Sequence, residues 1–327
     1  MSSPQPFYHL RPNKNIDRRV FVQTLIGLNS SFDMSEYSYT GFGSFLFDDF
    51  KMIHDGINIS KMISLENDNK QFRRAKFNVP YSCIELVNKS SSEYISNLVI
   101  DDSEHNIFWL DYVDPSEIGK QIADFSAMLN RLNPRDVIRL TLNANPSCLG
   151  KSSTPDDLAN IRFEKLKERV PPMYFPSDVT PNDLTTKAYP LVILRILKAI
   201  VMQTLPEDDV YSPNFFLPLY ASVYADGQQM LTFTGIILDN ISDKESVEKS
   251  LKCYDHVNYA WNNPCIINIP ALSVREITEL GKLMPGDNAK ESILSNFDFV
   301  FSPNDEDVVN SYISYYKYYP NYHQVSF

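Results

Sequence analysis

The chain has 327 residues, 43% of them apolar, which is enough for one large domain or two modest ones and excludes disorder throughout. The 30 Lys and Arg residues against 41 Asp and Glu residues give a formal charge of −11, which disfavours non-specific binding to nucleic acid or to a membrane surface. The first residues from Met1 onward form no apolar run, so we expect no leader. No apolar stretch reaches membrane-spanning length, no C-x-x-C spacing occurs, and the Cys and His residues are too scattered for a zinc site. We therefore expect a cytoplasmic protein with reduced thiols, no membrane segment and no metal.

The first half of the chain alternates short apolar runs with helical patterns. The strand candidates lie at 37–40, 59–66, 83–87, 107–112 and 136–143. The helical patterns lie at 45–54, 67–76, 91–99 and 115–132. Strands that alternate with helices at this spacing predict right-handed crossovers and a parallel sheet with helices on both faces.

The second half of the chain predicts further helices and a hairpin. Helices are expected over 155–169, 191–204 and 273–283, and the two hairpin strands over 215–224 and 230–238. Asp226 and Gly227, which lie between these two strands, are typical of a hairpin turn. An antiparallel hairpin beside a parallel sheet gives a mixed sheet of the kind common among nucleotide-binding folds.

A glycine turn follows the first predicted strand. It holds Gly41 and Gly43, in a chain with only 10 glycines. Ligands of open α/β sheets bind beyond the carboxyl ends of the strands, where the strand order reverses, so we expect a ligand at this turn. Glu66 follows about 20 residues later at the end of the second strand, where an acid can accept hydrogen bonds from both ribose hydroxyls. No third glycine follows, which favours a lone nucleoside ligand over a dinucleotide.

Short motifs related to one protein family are spread over nearly the whole chain. They lie at 8–14, 17–18, 41–44, 62–66, 109–112, 141–143, 224–227, 230–232, 269–270, 275–276 and 318–322. Together they resemble bacterial class I S-adenosylmethionine-dependent methyltransferase-like proteins, the "putative O-methyltransferase" group. The resemblance implies a Rossmann-like methyltransferase fold, S-adenosylmethionine as cofactor, and methyl transfer to an unidentified oxygen or nitrogen acceptor. It also carries an association with antiviral defence.

The resemblance implies roles for residues near the strand ends and a division of the chain. The cofactor-binding residues it implies are Thr40, Gly41, Phe42 and Gly43 beside the methionine part, Glu66 on the ribose and Asn88 facing adenine. The transfer site would be lined by Asp111, as the candidate base, and Tyr112, as a wall; a turn acid and a packing tyrosine are the alternatives. The expected parts are an N-terminal segment over 1–36, the Rossmann-like domain over 37–240 and a C-terminal extension over 241–327.

Three alternatives stay open from the sequence. Tyr39 and Thr40 stand where this group usually has an acid, which favours a catalytically inactive sensor or scaffold in a multi-protein, antiviral assembly. The tail at 312–322 has six tyrosines in eleven positions, which suits either a protein partner or docking within the chain. The basic stretch at 9–19 could contact an anionic acceptor or nucleic acid, cover the sheet, or form a solvated surface.

Overall fold

The structure is a computed structural model that describes residues 11–206 and 213–320, apart from the side chain of Asp156. Contacts divide these residues into two compact units. One unit comprises Val22–Val223 and Gln228–Cys265. The other combines the N-terminal residues up to Phe21, Tyr224–Gly227 and the chain from Ile266 onward. The boundaries expected near 36 and 240 stay a prediction.

The described residues contain eight strands that form one mixed sheet. They are β1 (Ser38–Gly41), β2 (Lys61–Leu65), β3 (Ile84–Val87), β4 (Asn106–Asp111), β5 (Val137–Asn143), β6 (Phe215–Asp226), β7 (Gln228–Leu238) and β8 (Cys265–Ile267). The order in the sheet is β3-β2-β1-β4-β5-β7-β6-β8. The first five strands pair in parallel, and β7 pairs antiparallel with β5. This confirms the predicted parallel sheet closed by an antiparallel hairpin.

Helices precede, connect and follow these strands. The α-helices of the described chain are α1 (Pro12–Leu28), α2 (Asp48–Ile57), α3 (Asn69–Asn78), α4 (Ser91–Ser96), α5 (Ile118–Leu129), α6 (Pro155–Arg169), α7 (Tyr189–Thr204), α8 (Ile241–Leu251), α9 (Val274–Gly281), α10 (Ala289–Asn296) and α11 (Asp305–Tyr315). The sequence did not predict α1, α8, α10 or α11. None of the helices in the described ranges is both long and apolar enough to cross a bilayer.

The two faces of the sheet differ in chemistry because side chains alternate along each strand. One face is apolar and packs with α5, α6 and α7 into one core cluster, to which the strands contribute Phe108, Leu110, Ile138, Leu140, Leu142, Leu231 and Phe233. The opposite face carries buried polar side chains. Trp109 Nε1–H donates to Thr141 Oγ1 at 3.0 Å, and Arg139 Nη1 donates to Thr234 Oγ1 at 2.9 Å. We call these the apolar face and the polar face.

In the other unit, an acid from the hairpin tip caps the start of α1. Asp226 Oδ2 accepts the backbone N–H of Lys14 at 2.7 Å, and Asp226 Oδ1 accepts from Asn13 Nδ2 at 3.1 Å. The Oδ1 atom of Asn13 accepts the backbone N–H of Ile269 at 3.0 Å. A carboxylate at a helix N-terminus satisfies unpaired N–H groups and compensates the helix dipole. The hairpin turn therefore also fixes the first turn of α1.

The basic stretch at the N-terminus is only partly on the surface. Lys14 is 6% exposed and Arg18 is 1% exposed, whereas Arg19 is exposed. Lys14 and Arg18 lie four residues apart on α1 and so share one side of the helix. Because they are buried, Lys14 and Arg18 cannot contact a phosphate backbone. They therefore cannot take part in the nucleic-acid contact that the basic stretch suggested. His9 lies outside the described residues.

The tyrosine-rich tail packs within its own unit. Tyr312 and Tyr319 are buried, and their rings meet at a centroid distance of 6.0 Å. The hydroxyl of Tyr319 donates to the carbonyl of Pro270 at 2.8 Å and accepts the N–H of Leu272 at 3.0 Å. In the structure, Tyr312 and Tyr319 therefore dock within the chain. Tyr322 lies outside the described residues.

A buried carboxyl joins the starts of β4 and β5. Asp136, which precedes β5, is fully buried, and its two oxygens accept the backbone N–H groups of Asn106 at 2.6 Å and Asn133 at 2.9 Å. Burial raises the pKa of Asp136 to about 7, although these hydrogen bonds act in the opposite direction. The charged form of this side chain is therefore costly in the folded protein.

We expect Asp136 to make the free energy of unfolding fall as the pH rises from about 4 to about 7. In this window the folded protein keeps a proton that the unfolded chain, with its carboxyl pKa near about 3.9, has released. Urea unfolding across this range should show the slope, and Asp136→Asn should remove it. The exposed acid Asp102 gives the control, since Asp102→Asn should keep the wild-type slope. An unchanged slope in Asp136→Asn would contradict the assignment.

Candidate active site

The strand order reverses between β1 and β4. From β1 the chain proceeds through β2 to β3 on one side, while β4 and β5 lie on the other side. Parallel pairing brings the carboxyl ends of these strands to the same edge of the sheet. We call two segments the β1–β4 edge: 41–47, which starts at the last residue of β1, and 111–112, which starts at the last residue of β4. The predicted glycine turn and the predicted transfer residues both lie there.

Protein atoms occupy the space that the two glycines leave. A Cβ on Gly41 would lie 2.6 Å from the hydroxyl of Tyr39, and one on Gly43 would lie 2.7 Å from both Phe47 Cδ1 and Ser64 Oγ. The N–H of Gly43 donates to Ser64 Oγ at 3.1 Å. Neither glycine has a positive φ. Packing inside the protein is thus the reason that this turn needs glycine.

The helix after the turn begins later than the sequence predicts. The expected start was residue 45, but α2 begins at Asp48, because the turn continues through Ser44 and Phe47 with φ values of 49° and 54°. Asp48 and Asp49 occupy the first turn of α2, and Phe47 gives no side-chain cap. Two acids already compensate the positive end of the helix dipole, so the helix start is a poor site for a ligand carboxylate.

Glu66 lies close to the glycine turn along the neighbouring strand. Gly41 pairs with Ser64, and Glu66 follows Ser64 by two residues, a rise of about 6.6 Å along a strand. The Glu66 side chain is half-buried, and its Oε1 atom accepts the N–H of Asp68 at 2.9 Å. Burial raises the pKa of this carboxyl.

Asn88 lies at the same corner of the sheet as Glu66. The N–H of Glu66 donates to the carbonyl of Val87 at 3.1 Å. The side chain of Asn88 is exposed, and its Nδ2 donates to Asn69 Oδ1 at 2.7 Å, at the start of α3. The structure therefore brings together the two residues predicted to contact the ribose and the adenine.

Tyr112 and Phe42 meet across the β1–β4 edge. Their rings pack edge to face at a centroid distance of 5.6 Å. The Tyr112 hydroxyl donates to Asp124 Oδ2 at 2.7 Å. Burial and the nearby carboxylate raise the pKa of Tyr112 well above its usual range, so this phenol keeps its proton. A phenol that keeps its proton is not suited to act as a general base, and the role of Tyr112 as a wall stays a prediction.

Asp111 and Thr40 project from different faces of the sheet. Asp111 is the last residue of β4, follows Trp109 by two positions and so belongs to the polar face. Thr40 pairs with Phe108 on the apolar side, where a hydrogen bond from Thr40 partly offsets the burial that raises the pKa of Tyr94. The side chain of Thr40 therefore lies on the apolar face of the sheet, away from Asp111.

Two residues of this region were missed by the sequence reasoning. Ser64 is fully buried and holds the glycine turn, and Asp124 accepts the Tyr112 hydroxyl. Asp124 stands beside the apolar stripe of a helix, which is a signal that the sequence offered. Ser64 gave no comparable signal, because a serine within an apolar strand is common and its partner depends on the strand register.

Comparison with known proteins identifies the family. A family profile described as "Putative O-methyltransferase" matches residues 6–327. The chain belongs to this family. The resemblance proposed from the short motifs is thereby confirmed. No curated protein matches the chain.

Solved structures with similar folds include several methyltransferases. The N-methyltransferase NodS from Bradyrhizobium japonicum WM9 is 9% identical, with a TM-score of 0.39 over 68% of this chain and 97% of that chain. A "putative O-methyltransferase" from Klebsiella pneumoniae is 10% identical, with a TM-score of 0.38 over 72% and 92% of the two chains. TYW2 from M. jannaschii, in complex with AdoMet, is 9% identical, with a TM-score of 0.38 over 72% and 78%.

We expect Gly43→Ala to lower the free energy of unfolding of this family member by about 1–3 kcal/mol, because its Cβ would overlap two fully buried side chains. Urea unfolding of the purified variant measures the effect. Gly281→Ala at the end of α9 is the matched control, since no atom lies within 4 Å of that Cβ position. Equal midpoints for the two variants would show that the turn tolerates a side chain.

Proposed function

We propose that this chain is an S-adenosylmethionine-dependent methyltransferase that acts on an oxygen acceptor. Membership of the "Putative O-methyltransferase" family supports the proposal. One geometric observation carries it: the glycine turn after β1, the acid after β2 and the acid at the end of β4 lie along one edge of a parallel sheet, at the reversal of strand order. That edge is where open α/β sheets bind nucleoside ligands.

Glu66 and Asn88 are the proposed contacts for the adenosine part. The half-buried carboxylate of Glu66 has two oxygens, one of which accepts the N–H of Asp68, and a carboxylate can accept several hydrogen bonds at once. The remaining acceptor capacity of this carboxylate fits a pair of ribose hydroxyls, which would donate to it. The exposed amide of Asn88 both donates and accepts, which fits the edge of an adenine ring. Residues 40–43 would then border the methionine part.

Asp111 is the proposed base for the transfer. When held by residues 40–43, Glu66 and Asn88, the cofactor would supply an electrophilic methyl group on its sulfonium sulfur. Asp111 would take the proton that the acceptor hydroxyl loses, and it would align that oxygen. The ring of Tyr112 would form the opposite wall of the site, while its hydroxyl remains hydrogen-bonded to Asp124.

A catalytically inactive sensor or scaffold with the same fold is the second candidate. Tyr39 favours it, because a phenol hydroxyl and not a carboxylate lies beside Gly41. The predicted protein partner and the predicted antiviral assembly belong to this candidate. A scaffold would keep its biological effect when Asp111 is replaced, whereas an enzyme would lose it.

Calorimetric titration with S-adenosylhomocysteine is the direct test of the proposal. We expect saturable binding to the folded protein, and methyl transfer from labelled S-adenosylmethionine to a hydroxyl compound in an acceptor panel. No binding heat while the protein stays folded would contradict the cofactor assignment. Binding without transfer in Asp111→Asn and wild type alike would favour the scaffold.

Glu66→Gln should weaken S-adenosylhomocysteine binding about 10- to 100-fold, since hydrogen bonds to a charged group contribute about 1.5–3 kcal/mol. The raised pKa of Glu66 adds a pH signature: wild-type affinity should fall as the pH is lowered, from a higher pH than an ordinary glutamate would give. Glu66→Gln should remove this dependence. Glu85→Gln is the matched control, because Glu85 is an exposed acid on β3. The same pH profile in all three proteins would contradict the ribose role.

A further inference from the structure

Asp124 on α5 is a buried carboxyl surrounded by hydroxyl groups. It is 6% exposed. Its Oδ2 atom accepts from Ser91 Oγ at 2.6 Å and from the Tyr112 hydroxyl at 2.7 Å, and its Oδ1 atom accepts from Ser92 Oγ at 2.6 Å. Three neutral donors of this kind satisfy a buried carboxylate and order the side chains that supply them.

These hydrogen bonds join segments that the proposed function uses. Ser91 and Ser92 form the first turn of α4, just after the loop that holds Asn88. Tyr112 follows β4 and forms one side of the β1–β4 edge, where its ring meets Phe42. Asp124 itself lies on α5, which packs on the apolar face of the sheet, and it reaches the β1–β4 edge through Tyr112.

We propose that Asp124 is a positioning residue that holds the Tyr112 ring as a wall of the cofactor site. This inference rests on the proposed function and adds a role for a residue that does not touch the ligand. A phenol ring can tilt about its side-chain bonds, and a bond from its hydroxyl to a rigid helix removes that freedom. Residues that fix the side chains of a site through hydrogen bonds preserve its binding geometry.

The test compares dissociation constants for S-adenosylhomocysteine by calorimetry, with thermal unfolding as a check on folding. Asp124→Ala should weaken binding roughly 10-fold, and Tyr112→Phe, which keeps the ring but loses the hydroxyl, should reproduce that loss. Adding Asp124→Ala to Tyr112→Phe should change affinity less than about twofold, because the shared bond is already absent. Asp124→Asn keeps an acceptor oxygen and should restore most of the affinity.

Ser92→Ala is the matched control, since Ser92 bonds the other carboxylate oxygen and leaves Tyr112 untouched. It should bind S-adenosylhomocysteine as wild type does. If Tyr112→Phe binds as wild type, or if the two losses are fully additive, Asp124 only stabilises the fold and the inference is overturned while the proposed function stands. If the folded wild type binds no S-adenosylhomocysteine, the proposed function fails and this inference fails with it.

Discussion

The double parallel pairing of β1 is the constraint on which the candidate site depends. β1 bonds to β2 through the pair Gly41 and Ser64 and to β4 through the pair Thr40 and Phe108. These two registers fix which residues reach the carboxyl edge together. A shift of one residue in the ladder between β1 and β2 would move Ser64 and Glu66 together to the opposite face of the sheet from Gly41. The bond from Gly43 to Ser64 locks this register at the edge itself.

The sequence predicted the architecture well because the first half of the sheet is built from local units. Apolar runs that alternate with helical spacing are a local pattern, and each predicted strand from β1 to β5 overlaps the observed one. Helix α1 was missed because the segment was interpreted through its basic residues, whereas the buried side chains of Ile16, Val20 and Leu25 show a helical face in the same segment. The charged residues guided the interpretation of this segment, whereas in the structure its buried apolar residues determine how the helix packs.

The site was predictable only in part, since a sequence shows which residues follow strands but not how their side chains are used. The placement of Gly41, Gly43 and Glu66 at one edge follows from strand order alone. The reason for the glycines does not, because it depends on how Tyr39 and Phe47 fold back on the turn. Asp124 is bound by a tyrosine twelve residues earlier in the chain and by two serines of another helix, and no local pattern predicts such a set.

The alternation of faces also separates the roles of two neighbouring residues. Asp111 continues the polar face, on which Trp109 and Arg139 are buried with hydroxyl partners. Tyr112 continues the apolar face and is held by α5. A buried polar face costs free energy relative to an apolar one unless its groups are paired. The polar face continues to Asp111 but not to Tyr112, so the two neighbouring residues have different surroundings. The proposed division of roles, proton transfer at Asp111 and a wall at Tyr112, follows from this alternation, because successive residues at the end of β4 project to opposite faces.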